Sequence, residues 1–524
     1  GEIAKAIGFD QVSTAHDVER LIKFVSRGET TLADAYLTPV IVRYIEALKN
    51  ELDRIAAPER LLFMQSNGGL VLAENFRGKN SILSGPAAGV VGMVETASRQ
   101  GYERLIGFDM GGTSTDVSAF SGEYERSNES EVAGVRLRAP MMRIHTIAAG
   151  GGSVLHYRDG RLQVGPDSAG ANPGPACYRR GGPLAVTDAN VLLGRIPVAH
   201  FPHVFGPDGD QPLDAKIVRR EFDALAKRVG AGAESVADGF LTVAIESMAN
   251  AIRKITIERG EDVRDYVLCC FGGAGGQHAC RVAEVLGMRR VWLHPHAGVL
   301  SAYGMGLADI RVEKQQTVEA PCDDDIEATL EPVIASLRDE CDALLADQHV
   351  PAAERDFRPE VGLRIAGSDT IIDVPYGAGT AMSDAFAAQY RNRFGAEPDA
   401  GALIVATARV EGTGVEAHYT DPAVDSSDYD EAIDTSRMWV DGEWADVPVY
   451  AREALGAGSG IDGPGIVGEA NATTETDPGW ACSNIASARP ALQRTTKTHP
   501  TRFAWRYSIA CSCTSPSRWA RCCR

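Results

Sequence analysis

Two aspartates bracket a glycine turn in the stretch FDMGGTSTDVSAF, residues 108–120. Asp109 ends one apolar run and Asp116 opens the next, with Gly111, Gly112, Thr113 and Thr115 between them. Carboxylate oxygens suit a hard cation, so Asp109 and Asp116 read as the catalytic pair of a phosphoryl transfer and as the holders of Mg²⁺. Glycines lack a Cβ and let backbone approach phosphate, and the two threonine hydroxyls can bond its oxygens. A tight hairpin with a capping aspartate is the plainer alternative. A second cluster, FGGAGGQHA at 271–279, places Gly272, Gly273, Gly275 and Gly276 at a strand-to-helix turn. There an outward-facing helix N-terminus would favour a nucleotide phosphate. Its spacing is not that of a P-loop, and read as GxGxxG it lacks the last glycine. The third cluster, AAGGGS at 148–153, sets Gly150 and Gly151 where amides can meet developing negative charge, or forms only a structural turn.

Other residues carry two readings each. Asp188 and Asn190 in TDAN either position substrate or a cation, or cap the next helix in an Asx turn. His145 is an acid–base group or metal ligand on one reading and a structural histidine on the other, preferred one. His278, just past the second glycine loop, contacts nucleotide or packs. Cys177 has no evident basic partner to activate it and reads as buried. Met141 and Met142 read as core.

These groups need elements to aim them. Residues 16–57 read as helical with a break near Thr38-Pro39, and 61–66 as a strand closing on the turn Asn67-Gly68-Gly69. A helix is predicted over 81–101, with Pro86 in its first turn and Gly101 ending it. Strands over 104–109 and 116–120 flank the aspartate turn. A long helix spans 237–260, a strand at 265–271 feeds the second glycine loop, and another strand follows at 290–293. Residues 134–196 are dense in glycine and proline, as expected of functional loops on a rigid scaffold. Residues 362–376 read as a hairpin, 425–435 as an acidic linker and 437–480 as short strands.

The 524-residue chain is 44% hydrophobic and 23% charged, with a formal net charge of -19. Such an acidic balance argues against nucleic acid and anionic membrane as partners, and no run of ~18 apolar residues suggests a transmembrane helix. Eleven cysteines show no paired zinc spacing. They fit reduced thiols in a cytoplasmic protein. The opening GEIAKAIGFDQ has neither an initiator Met nor a signal peptide, so the chain is expected to begin mid-protein.

Element order says more than any single motif. SGPAAGV on a helix, a strand, DMGGTSTD, a strand, a long helix, a strand and GGAGG before a helix together resemble the second lobe of the sugar kinase, actin and heat-shock chaperone ATPases. The resemblance implies an α/β fold with RNase H-like lobes and a small C-terminal β region. It makes the first piece a connecting helix, the second the second phosphate loop and the third the adenosine loop. The first phosphate loop of that superfamily has no copy here. More narrowly, SNGGL, LSGPAAGVVG, GFDMGGTSTDVS, NPGPACYRRGGP, TDANVLLGR and CFGGAGGQHAC resemble the hydantoinase A and oxoprolinase family over about residues 10–420. GPACYRRGGP, TDANVLLGR and FGPDGDQPL are most similar to the members that open 5-oxoproline.

That resemblance implies ATP and Mg²⁺ as cofactors and 5-oxoproline or a related cyclic amide as substrate, opened to L-glutamate. A lactam is stable and its nitrogen leaves poorly; phosphorylation of the lactam oxygen makes it open to water. It also implies a B-type hydrolase half as partner, fused or separate, and homo-oligomers. The expected units are 1–80 as a remnant of a first lobe, 81–310 as the second ATPase lobe, 311–424 as an additional α/β segment and 437–500 as the β-rich region. Residues 503–524, FAWRYSIACSCTSPSRWARCCR, lack periodicity. Read out of frame they give an amphipathic pattern like the start of a B half, so a frameshift near Arg502 is expected. Two alternatives stand: an A-type subunit of an N-methylhydantoinase or acetone-type carboxylase, and an inactive truncated nucleotide-binding fragment.

Overall fold

The computed structural model describes residues 1–483 apart from 10, 23, 56–59, 133, 259, 324, 399–401, 416–430, 456–459 and 470. The tail 503–524 and residues 425–430 of the acidic linker lie outside the described residues.

Helix α1, Phe24–Ile55, runs through Pro39, where the sequence predicts a break. Proline removes one helical N–H but its fixed φ suits a helix, so tertiary bonds decide. Here the buried Thr38 hydroxyl donates to Asp34 Oδ1 at 3.2 Å and accepts from the Gly78 amide at 3.0 Å. Asp34 Oδ1 also accepts from the Lys79 amide at 3.2 Å, so one neighbouring segment grips the turn that ends at the proline. Strands β1 (Leu62–Met64) and β2 (Leu70–Leu72) form the expected hairpin. Gly68 turns it at φ +83°, and Asn67 Oδ1 accepts the Gly69 amide. Helix α2, Ser84–Arg99, follows with Pro86 in its first turn.

A five-stranded mixed sheet carries the site. Its members are β3 (Arg104–Met110), β4 (Thr115–Ser121), β5 (His145–Ile147), β8 (Val267–Phe271) and β9 (Val291–Trp292). The hairpin β6 (Ser153–Arg158) and β7 (Arg161–Ser168) and the helices α3 (Val186–Leu192), α4 (Ala215–Val229) and α5 (Ala233–Ile257) lie between β5 and β8 in the chain. Helix α6, Ala279–Leu286, joins β8 to β9, and α7, Leu300–Leu307, follows. The spatial order is β9-β8-β3-β4-β5. The strands β3, β4 and β5 are antiparallel neighbours, whereas β8 runs parallel to both β3 and β9. Alternation sends Ile106, Phe108, Leu268 and Cys270 into a core with α5, and Leu105, Cys269 and Phe271 into a second core with α2 and α7. Helices α2 and α7 cross closely because they present glycines: a Cβ on Gly92 would lie 2.8 Å from the Leu300 carbonyl oxygen.

A second sheet has six strands, ordered β1-β2-β10-β13-β11-β12, with β10 at Ile310–Pro321, β11 at Arg355–Ile365, β12 at Ile372–Pro375 and β13 at Leu403–Gly414. The predicted hairpin at 362–376 is the β11–β12 pair. The stretches set apart as 1–80 and 311–424 share this sheet: the Leu70 amide bonds the Asp309 carbonyl at 2.8 Å.

Four further strands, β14 (Asp434–Val440), β15 (Glu443–Ala451), β16 (Gly465–Gly468) and β17 (Thr473–Thr476), make a C-terminal sheet in that order. It docks on the first sheet's helices through the Trp439 amide to the Leu193 carbonyl at 2.8 Å and a buried ion pair of Arg195 with Glu475 and Asp477. No helix among the described residues is long and apolar enough to cross a membrane.

Candidate functional site

Asp109 and Asp116 are direct cross-strand partners at the last turn of the β3–β4 pair, on the face that α2 covers. Partners of this kind sit with Cβ atoms about 4.5–5.5 Å apart, and like charges there repel. Burial, with Asp116 adding its charge, pushes the Asp109 carboxyl up to about 7. Burial also raises Asp116, against a 2.5 Å hydrogen bond from the Thr146 hydroxyl on β5. A divalent cation between the two carboxylates would relieve both effects. The oxygens fit Mg²⁺, which takes one or two carboxylates and fills its shell with water and phosphate oxygens.

The turn joining the aspartates is open. A Cβ on Gly112 would meet nothing within 4 Å, and one on Gly111 only the Ser114 oxygen at 4.0 Å. Gly112 and Thr113 are exposed, so ligand can reach this backbone. Thr115 differs: it is buried, and its hydroxyl donates to the Ala149 carbonyl. It braces the turn rather than facing a ligand.

The AAGGGS loop sits directly behind. The Gly151 amide donates to the Gly111 carbonyl at 3.1 Å and the Gly152 amide to the Gly112 carbonyl at 2.6 Å. A Cβ on Gly150 would lie 2.7 Å from the Ser114 nitrogen. Gly150 and Gly151 are buried, so this cluster serves close backbone stacking under the 111–113 turn. Of the two readings open to it, the geometry is that of the structural turn.

The third loop joins the other two. A Cβ on Gly272 would lie 2.5 Å from Asp109 Oδ1, and the Ala274 amide donates to the Met110 carbonyl at 3.1 Å. Gly273 is exposed beside it. Gly275 and Gly276 are not: Gly275 packs on Cys270, and a Cβ on Gly276 would lie 2.6 Å from the Thr473 carbonyl oxygen. The expectation of an outward helix N-terminus fails here. Ala279 and Cys280, the start of α6, are buried because the C-terminal sheet covers them. The Cys280 thiol donates to the Glu475 carbonyl. Three loops far apart in sequence therefore form one patch, with Gly112, Thr113 and Gly273 exposed and Gly150, Gly151, Gly275 and Gly276 buried.

Residues 27–314 match the hydantoinase/oxoprolinase family. The chain belongs to that family. It is 39% identical over 496 residues to 5-oxoprolinase 1 of Arabidopsis thaliana, covering 91% of this chain and 39% of that protein. To the 5-oxoprolinase of Saccharomyces cerevisiae it is 37% identical over 499 residues, 90% of this chain and 38% of that one. The chain thus spans about two fifths of the length of these relatives. The caprolactamase subunit alpha of Pseudomonas jessenii is 32% identical over 507 residues, 91% of this chain and 71% of that subunit. Among solved structures, the ATP-dependent caprolactamase from Pseudomonas jessenii superposes with a TM-score of 0.78 at 29% identity, covering 93% of this chain and 73% of that one. A nucleotide-free acetone carboxylase gives 0.72 at 22% identity, over 92% of this chain and 71% of that one, a likeness of mixed α/β fold.

The remaining family motifs line no open part of the patch. Asp188 is fully buried at the start of α3, and its carboxylate accepts the amides of Ala176, Cys177 and Ala185 at 2.8–3.0 Å. This is the capping reading, and the substrate assignment for Asp188 is dropped. Asn190 is buried too. Its amide nitrogen donates to Gln277 Oε1 at 2.8 Å, tying α3 to the third loop from within, so it also does not face substrate. His278 lies against that pair. Burial, then the charges of Arg195 and Arg281, push it down to about 3, which keeps it neutral. His145 pairs with Val117 and so points to the face opposite Asp116, toward Lys254 of α5 and Glu258 just past its end. Cys177 is buried beside Asp188, and burial pushes its thiol up. Met141 and Met142 are core. Among the described residues no three His, Cys, Asp or Glu side chains group as metal ligands. Sequence reasoning missed Thr146 and Thr187; the latter's hydroxyl bonds the Gly151 carbonyl at 2.8 Å. Thr146 was findable, since HTI precedes the loop and must alternate beside Asp116.

Proposed function

We propose that this chain is the nucleotide-binding, lactam-phosphorylating part of an ATP-dependent cyclic amide hydrolase of the 5-oxoprolinase kind. The observation that carries this reading is the opposed Asp109–Asp116 pair beneath an open glycine turn, with Gly272 packed against one carboxylate. The five-strand order, three antiparallel then two parallel, supports assigning this sheet to an RNase H-like ATPase lobe of the actin and sugar kinase type. The names of the relatives support a lactam as substrate, with 5-oxoproline first and other cyclic amides next.

Asp109 and Asp116 would hold Mg²⁺, and Gly111, Gly112, Thr113 and Gly273 would face the nucleotide. ATP, when bound, would supply the phosphoryl group that, placed on the lactam oxygen, opens the ring carbon to water so that the C–N bond can break. The protein's own part is positional. Thr146 fixes one Asp116 oxygen, Thr115 and the 150–152 loop hold the turn's backbone, and Gly272 lets the third loop close on Asp109. Preorganisation of this kind supplies most of the catalysis in phosphoryl transfer. A B-type hydrolase half would deliver water to the activated lactam, and a cytoplasmic, self-associating enzyme would suit the thiols and the acidic surface.

The test is ADP release by this chain together with its B-type half, offered 5-oxoproline, caprolactam, N-methylhydantoin, or acetone with bicarbonate. Release that depends on 5-oxoproline, with equal glutamate, is expected. Release only with acetone and bicarbonate would move the chain to the carboxylases, and no release with any substrate would reject the enzymatic reading.

A further inference from the structure

The C-terminal sheet does more than cover α6. Its β16–β17 turn is closed by the Glu469 amide on the Ala472 carbonyl at 3.0 Å, and it carries Asn471. A Cβ on Gly273 would lie 3.3 Å from the Asn471 carbonyl oxygen, and one on Gly298 2.8 Å from the Asn471 Cβ. Asn471 and Gly273 are both exposed, so they stand side by side at the open mouth of the patch.

Direction along the patch follows from the same contacts. Gly272 abuts Asp109, the cation pole; Gly273 is the next residue, about 3.8 Å on; Asn471 lies beyond it. A nucleotide whose phosphates met the aspartates and whose body followed the loop would bring its base to the Asn471 end. The strand that leaves the turn is anchored. Glu475, in β17, and Asp477, just past it, clamp on buried Arg195, and the Trp480 indole donates to Glu284 at 2.7 Å. A carboxamide offers one acceptor and two donors, which match the N7 acceptor and N6 amino donor of adenine and mismatch guanine, with its N7 and O6 acceptors.

We propose that Asn471 reads the nucleotide base, so that the C-terminal sheet supplies the specificity wall of the site. This rests on the nucleotide reading of the patch. The experiment is calorimetric titration of the full chain, parent and Asn471→Ala, with Mg-ATP, Mg-GTP and magnesium tripolyphosphate. The parent is expected to prefer ATP to GTP roughly tenfold, the span of one bidentate base contact. Asn471→Ala should lose that preference while its tripolyphosphate affinity and melting temperature stay those of the parent. Retained preference in the variant would overturn the role of Asn471 alone. A parent that binds none of the three would overturn the nucleotide reading beneath it.

Discussion

Replacing Asp109 by Asn should stabilise the cation-free chain at alkaline pH. The carboxyl stands at about 7 rather than its ordinary 3.8, held there by burial and by Asp116. Below pH 4 the folded and unfolded states both carry the proton, and the residue contributes nothing. Between 4 and 7 the unfolded chain releases the proton while the folded chain keeps it, so stability falls as pH rises. Above 7 the full penalty is in force. Three units at ~1.36 kcal/mol each set a ceiling of about 4 kcal/mol. Asp109 is partly exposed, so solvent screening brings the expected gain for Asp109→Asn to about 2 kcal/mol at pH 8. The assay is urea denaturation with a chelator at pH 5, 6 and 8, followed by circular dichroism. The gain should shrink toward pH 5. Added Mg²⁺ should then stabilise the parent and leave the variant unmoved. An Asp109→Asn chain that is less stable at pH 8, or whose difference does not change with pH, would refute the opposed-carboxylate argument.

Three further outcomes follow from the same contacts. Asp116→Asn should cut Mg²⁺-dependent ADP release roughly 10²-fold or more with the circular dichroism spectrum unchanged, because it removes one of the two groups proposed to hold the cation; full turnover would take Asp116 out of the site. Asp188→Ala should destabilise the fold by about 1–3 kcal/mol or more, since the buried amides of Cys177 and Ala185 lose their acceptor and that of Ala176 loses one of two. A lowered urea midpoint with an unchanged KM for lactam is expected, and a raised KM at unchanged stability would restore the substrate role. Gly150→Ala should cost about 1–3 kcal/mol by overpacking, its methyl pressed to 2.7 Å from the Ser114 nitrogen; a neutral effect in the same urea assay would contradict the stacked-loop geometry.

Much of the site was legible because its signals are local. An aspartate closing an apolar run, a glycine turn and a second run opening on an aspartate specify a hairpin with its carboxylates opposed, and register follows from the two-residue period. The strand into GGAGG was equally plain. What escaped was the use of each glycine. Gly112 and Gly151 look alike in sequence, yet one faces open space and the other underlies the Gly111 carbonyl. The burial of the α6 start depends on Glu475, 280 residues from its partner Arg195, a pairing that no local pattern encodes. Pro39 misled for the same reason: the bonds around Asp34 and Thr38 come from Gly78 and Lys79.

The ion pair of Arg195 with Glu475 and Asp477 also sets a boundary on how this chain can be cut or recombined. By composition, the acidic stretch after residue 424 invites a module border, a place where a gene could gain or lose a β domain. A chain ending there would take Glu475 and Asp477, the two carboxylates paired with it, from the Arg195 guanidinium and would strip the cover from His278, Ala279 and Cys280. Breaking a buried pair of this kind costs about 3–5 kcal/mol, a large part of the stability a domain has. The last sheet is thus inherited with the lobe it wedges, as a keystone rather than an appendage.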